Sequence, residues 1–126
     1  MLKIFLDTNF LLIPAQFKVD IFEEINRICD FEYQLCVFDR SIEELDKLEK
    51  QGKKLRLEVK LTKALIKSKG LNIVRLPSSI KTVDDGLLEL TASIVATQDM
   101  ALKRLLRAKD TQVIVLRQKK YLVMVK

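Results

Sequence analysis

The chain contains no histidine and no tryptophan, only three glycines, two prolines and two cysteines among its 126 residues, and no long apolar run. Each absence excludes something. Without histidine there is no serine–histidine or cysteine–histidine nucleophilic site and no imidazole general base, so any catalysis must run on carboxylates, lysines, hydroxyls or a metal. Scarce glycine and proline beside 48% apolar residues exclude disorder and imply a packed core. This length suffices for one domain, expected over 1–126, that needs no disulfide staples. Cys29 and Cys36 lack the second pair that a zinc site requires and sit in apolar surroundings, so they read as buried thiols in a reducing cytoplasm. No stretch approaches the ~20 apolar residues that span a bilayer, and the N-terminus enters a strand-like segment and an acid at once, unlike a signal peptide. The expectation is a cytoplasmic protein with no membrane contact. Aromatics make up 6% of the chain, which gives no indication of base stacking.

What is abundant is charge, and it is unbalanced. Twenty-three basic against 17 acidic residues leave a net +6, which favours a polyanionic partner. Lys53, Arg56, Lys60, Lys63 and Lys67 recur at spacings of three and four, a stripe on one helix face for which a solvated surface is the plain alternative. Lys103, Arg104, Arg107 and Lys109 form a second group, expected to touch phosphates and so to position a nucleic-acid backbone without reading its sequence.

The apolar pattern predicts strands at 2–6, 33–38, 71–76, 93–97, 112–117 and 121–125, the last after a Gln118-Lys119-Lys120 turn. Helical spacing runs over 20–29, 41–50, 55–69, 83–91 and 100–107. In the third of these, Leu57, Leu61, Ala64 and Leu65 are expected on one apolar face, with Gly70 as its stop. Strands alternating with helices predict an α/β fold with a mainly parallel sheet covered on both faces. Apolar faces near Ile21 and Leu57 would allow a homodimer.

In open parallel sheets, ligands bind beyond the carboxyl ends of the strands. Asp7 follows the first strand directly, and Asp99 follows Ile94-Val95-Ala96 by three residues. Glu44 and Asp85 fall in the first turns of the helices after the second and third strands. Four acids from four segments are therefore expected at one edge. Each also has a structural role open to it: capping boxes at Ser41–Glu44 and Thr82–Asp85, an N-cap at Asp99, an Asx turn at Asp7-Thr8-Asn9. Clustered together, however, carboxylates repel and raise one another's pKa, and that cost is relieved by a cation. Oxygen-only ligands suit Mg²⁺ or Mn²⁺ rather than zinc. Such an ion would serve the hydrolysis of a phosphodiester.

Four segments resemble the PIN-domain nucleases: Leu6-Asp7-Thr8-Asn9-Phe10-Leu11-Leu12, Ser41-Ile42-Glu43-Glu44-Leu45, Val83-Asp84-Asp85-Gly86-Leu87-Leu88, and Val95 through Arg104. The match covers nearly the whole chain in the right order. It implies a three-layer α/β/α sandwich and a Mg²⁺- or Mn²⁺-dependent endoribonuclease that leaves 5′-phosphate and 3′-hydroxyl ends. By position, the resemblance makes Asp7, Glu44, Asp85 and Asp99 the catalytic metal ligands, with Asp84 as the alternative to Asp85 and Glu43 a weaker candidate beside Glu44. It makes Asn9 and Thr97 the groups that orient water or carboxylates; Lys103, Arg104 and Arg107, next to the proposed metal site, are expected to bind the RNA. The chain departs from the pattern at Gln98, where asparagine is common, and in a short Leu90–Ser93 link expected to shift Asp85 relative to Asp99. Residues 7–17 and 117–125 resemble the rRNA-processing type more than VapC toxins, and the toxin type would imply an antitoxin partner. Two alternatives stand beside this: an inactive RNA- or protein-binding module of the same fold, and a haloacid-dehalogenase-type phosphatase. The latter requires an acid at position 9, where this chain has Asn9.

Overall fold

Six strands, β1 (Leu2–Leu6), β2 (Tyr33–Phe38), β3 (Asn72–Val74), β4 (Ser93–Ala96), β5 (Val113–Arg117) and β6 (Tyr121–Val125), form one sheet in the order β3-β2-β1-β4-β5-β6. A computed structural model describes all 126 residues. Every neighbouring pair is parallel except the β5–β6 hairpin. Seven helices connect the strands: α1 (Thr8–Leu11), α2 (Ile13–Phe17), α3 (Ile21–Ile28), α4 (Asp39–Leu48), α5 (Lys53–Ser68), α6 (Val83–Glu89) and α7 (Met100–Ala108). No helix is long and apolar enough to cross a membrane.

Period-two alternation along the strands divides the core into two layers. Ile4, Leu6, Val37, Ile94, Ala96 and Ile114 face one side and pack with residues of α1 to α5, among them Phe10, Ile13, Ile25, Leu45 and Val59. Phe5, Cys36, Phe38, Val95, Val113 and Val115 face the other and meet Val83 and Leu87 of α6 and Leu102 and Leu106 of α7. The result is the α/β/α sandwich expected from the sequence. Both cysteines are buried free thiols.

Four local features differ from the sequence reading. Residues 8–17, unassigned there, form two short helices, with Asp7 capping α1 and Pro14 inside the first turn of α2. Helix α4 begins at Asp39 with Phe38 as its N-cap, so Ser41 lies inside the first turn and forms no capping box with Glu44. Helix α5 turns Val59, Thr62 and Ile66 inward and leaves Leu57 and Leu61 exposed. It has apolar residues on two faces, and Thr62 can be buried because its hydroxyl donates to Glu58 O at 2.8 Å. Ile21, offered above as part of a free apolar face, is fully buried in the core.

Helix α5 ends where Gly70, at φ 63°, allows the left-handed turn. Leu71 N donates to Ile66 O and Gly70 N to Lys67 O, the paired bonds of a Schellman motif. The short link after α6 is closed by Ala92 at φ 52°. It does not misplace β4, which pairs with β1 from Lys3↔Ser93 to Leu6↔Ala96.

Candidate active site

That register sets the floor of the site. Leu6 and Ala96 are paired, so the next residues, Asp7 and Thr97, emerge side by side at the carboxyl edge. Asp7 N donates to Ala96 O at 2.9 Å, and Thr97 N to Ile114 O at 3.1 Å. The Thr97 hydroxyl, fully buried, donates to Asp7 Oδ2 at 2.8 Å and accepts from Asp99 N at 3.0 Å. One hydroxyl thus ties the acid after β1 to the acid after β4. Asp7 Oδ1 accepts from Thr8 N at 2.8 Å. Asp99 Oδ1 caps α7 by accepting from Ala101 N and Leu102 N. Capping engages one oxygen of Asp99, and its Oδ2 takes no bond from the protein.

Glu44 comes in from α4. Its Oε1 accepts from the Thr8 hydroxyl, whose oxygen lies 2.8 Å from the Ser41 hydroxyl. Thr8 has one proton, so it donates to the carboxylate and receives from Ser41. Both hydroxyls are buried, at 5% and 0% exposure. The sequence analysis gave them only local roles, Ser41 in a capping box and Thr8 in an Asx turn, and none in the site. The signal was there in retrospect: polar side chains at apolar-patterned positions, next to one acid and three residues before another.

The fourth acid comes from α6, whose approach is held by Asp39 and Arg40. Asp39 Oδ1 accepts from Leu76 N at 2.9 Å, and the Arg40 guanidinium donates to Ile80 O and to Pro77 O. Thr82 then caps α6 by accepting from Asp85 N at 3.0 Å. Val83, Gly86 and Leu87 face inward. At about 100° per residue, Asp84 falls on the flank of that face and Asp85 nearly opposite it. Asp84 therefore lines the cleft and Asp85 does not. Of the two acids the sequence left open, the preferred one points away because burial of Val83, Gly86 and Leu87 turns its side of α6 outward.

Asp7, Thr8, Asn9, Glu44, Lys47, Leu48, Thr82, Val83, Asp84 and Asp99 line one cleft of about 510 Å³. Burial, at 6% exposure, raises Asp7 to a pKa of about 6 against an ordinary 3.8. Hydrogen bonds from Thr97 and Thr8 oppose that rise, while Asp84 and Glu44 add to it. Asp84 is also raised, first by burial and then by Asp99, Glu44 and Asp85. The acids sense one another's charge across the cleft, yet no three are already gathered into a ligand cluster. The donor set is carboxylate and hydroxyl oxygen without histidine or cysteine, and it carries uncompensated negative charge. It fits a hard divalent cation.

The other residues singled out from the sequence are scattered. Asn9 lines the cleft, and its backbone carbonyl accepts from Gln98 Nε2 at 3.2 Å. Glu43 is exposed and outside the cleft. Lys103 and Arg104 lie one turn along α7 from Asp99, also outside the cleft lining. Arg107 lies about 12 Å along the axis of α7 from its cap Asp99, and its Nε donates to Lys126 O at 2.9 Å. Because β6 is antiparallel, Lys126 belongs to the opposite edge of the sheet. Lys63, read as part of an open basic stripe, pairs with Asp46 and Glu49 of α4. The basic group on the cleft itself, Lys47, was not singled out by the sequence reading.

Known proteins share this architecture. The PIN like domain family matches residues 4–119. Ribonuclease VapC4 of Methanocaldococcus jannaschii is 32% identical over 125 residues, covering 96% of this chain and 95% of the relative. Among solved structures, the PIN domain endonuclease Utp24 superposes with a TM-score of 0.71 at 24% identity, covering 97% of this chain and 90% of that one. A domain of a functionally unknown protein from Methanocaldococcus jannaschii superposes at 0.59 with 16% identity, covering 93% and 92%. Strand order, edge acids and a family match over most of the length agree: this chain belongs to the PIN-domain nuclease family.

Proposed function

We propose that the chain is a metal-dependent endoribonuclease that hydrolyses RNA phosphodiester bonds, with Asp7, Glu44, Asp84 and Asp99 as the acids that hold Mg²⁺ or Mn²⁺. The observation that carries this reading is a buried carboxylate, Asp7, facing Glu44, Asp84 and Asp99 across one open cleft. A fold gains nothing from such an arrangement without a cation. The ribonuclease relative supports RNA as the substrate. When bound, the ion supplies Lewis-acid stabilisation of the phosphate and a more acidic water.

The chain's own residues do the holding. Thr97 fixes Asp7 and the backbone of Asp99 together, and Thr8 with Ser41 fixes Glu44. Water oxygen adds in line to phosphorus and releases a proton to solvent, the bond from phosphorus to the 3′ oxygen breaks with its electron pair on that oxygen, and the oxygen takes a proton from solvent to leave as a hydroxyl. The products are 5′-phosphate and 3′-hydroxyl ends.

The test is cleavage of labelled RNA with Mn²⁺, comparing wild type with Asp7→Asn, Asp84→Asn and Asp85→Asn, each checked for fold by circular dichroism. Asp7→Asn and Asp84→Asn should each lose at least about a hundredfold in rate, while Asp85→Asn stays within about threefold. EDTA should abolish cleavage. Undiminished activity in folded Asp7→Asn would refute the proposal.

A further inference from the structure

The cleft holds four acids and one cation. Lys47 sits one helical turn after Glu44 on α4 and lines the same wall. A lysine among carboxylates ordinarily pairs with one, yet the three salt bridges of this molecule involve Arg27 and Lys63 only. Lys47 has no side-chain hydrogen-bond partner within the protein and is exposed at the cleft mouth. Its neighbour Leu48 adds an apolar surface to the wall. The other basic residues of α4 and α5 do not reach this cleft: Lys63 is engaged with Asp46 and Glu49, and the rest lie outside the lining.

An anionic strand entering a cleft of four carboxylates is repelled unless its own charge is met. A divalent ion offsets part of the protein's charge and contributes to only one phosphate. An unpaired ammonium on the wall, carried on four flexible methylenes, is suited to a second. Resting on the nuclease reading above, we propose that Lys47 is a substrate-contacting residue: its ammonium binds a non-bridging oxygen of an RNA phosphate adjacent to the scissile one, and so seats the strand in the cleft. Lys47 supplies substrate binding, and the acids supply the chemistry.

The experiment separates those contributions. Binding of a short unstructured RNA is measured in EDTA, where no turnover occurs, across a salt series, and steady-state cleavage is measured in Mn²⁺. Proteins are wild type, Lys47→Gln, Lys47→Arg and, as a charge control outside the cleft, Lys50→Gln. Lys47→Gln should weaken RNA binding and raise KM about tenfold with kcat and thermal midpoint little changed. Its slope of log affinity against log salt should fall by about 0.7, the value for one phosphate contact on a single strand. Lys47→Arg should restore both, and Lys50→Gln should leave both as in wild type. A Lys47→Gln variant with wild-type affinity and slope overturns the proposal while cleavage by wild type keeps the nuclease reading intact. Loss confined to kcat or to Mn²⁺ affinity overturns it too, because Lys47 would then be a counter-ion of the acids. If wild type binds RNA through Lys47 but cleaves nothing in Mn²⁺, the nuclease reading fails and the contact stands.

Discussion

Asp7 carries the energetic signature of the site. Its pKa in the folded chain, about 6, lies above the ordinary 3.8 because burial disfavours its charge. Between those values the native state binds more protons than the unfolded one, so the contribution of Asp7 to stability is full below about pH 4. It is lost as pH rises through 6. Two pKa units correspond to about 3 kcal/mol, a ceiling on the effect. Urea unfolding of the metal-free protein at pH 4.5 and 7 should show wild type losing up to about 2 kcal/mol more than Asp7→Asn over that interval. Parallel pH dependences in the two proteins would contradict the assignment. Thr97 makes a second prediction. Thr97→Val leaves Asp7 Oδ2 and Asp99 N without their shared partner and should lower Mn²⁺ affinity and cleavage rate about 10–100-fold, whereas Thr97→Ser keeps both. Calorimetric titration with Mn²⁺ decides it, and equal loss in the serine variant would point to packing by the threonine methyl.

At the scale of elements, α6 is the piece whose seating matters most, because it alone carries Asp84. A Cβ at Gly86 would lie 2.6 Å from Leu76 Cδ1 and 3.2 Å from Phe38 Cε2, both on buried side chains. Gly86→Ala should push α6 outward, cost about 1–3 kcal/mol in stability, and lower cleavage through the displaced acid. Thermal unfolding and rate measured together test this, and a stable, fully active variant would show that α6 has slack. The same element shows what sequence can reveal. The strands were legible because Leu2–Leu6 or Tyr33–Phe38 are apolar runs that only a sheet covered on both faces accommodates. The edge location of the acids followed from parallel topology. The Thr82 cap was legible but the inward face of α6 was not, since choosing Asp84 over Asp85 depends on Val83, Gly86 and Leu87 being the residues that pack inward. Nor was the inward face of α5, where Leu57–Leu61 and Val59–Ile66 present competing apolar sides and only packing against α2 and α4 selects the second. Helices α1 and α2 escaped because four- and five-residue helices are too short to show a period.

For the molecule as a whole, the arrangement is an acidic cleft in a chain of net charge +6. The positive field draws a polyanion toward the surface, and on the proposals above Lys47 and a cation among the acids would each offset the repulsion of the cleft. Affinity for RNA should therefore depend on salt throughout. On the proposed function, divalent metal would act at the edge formed by β1 and β4. The most direct test is a crystal soaked in Mn²⁺ and measured for anomalous scattering. A peak within coordination distance of Asp7 and of at least one of Glu44, Asp84 and Asp99 is the expected result. A cleft without a peak at saturating Mn²⁺, or an ion bound at Asp85 on the outer face of α6, would contradict the account.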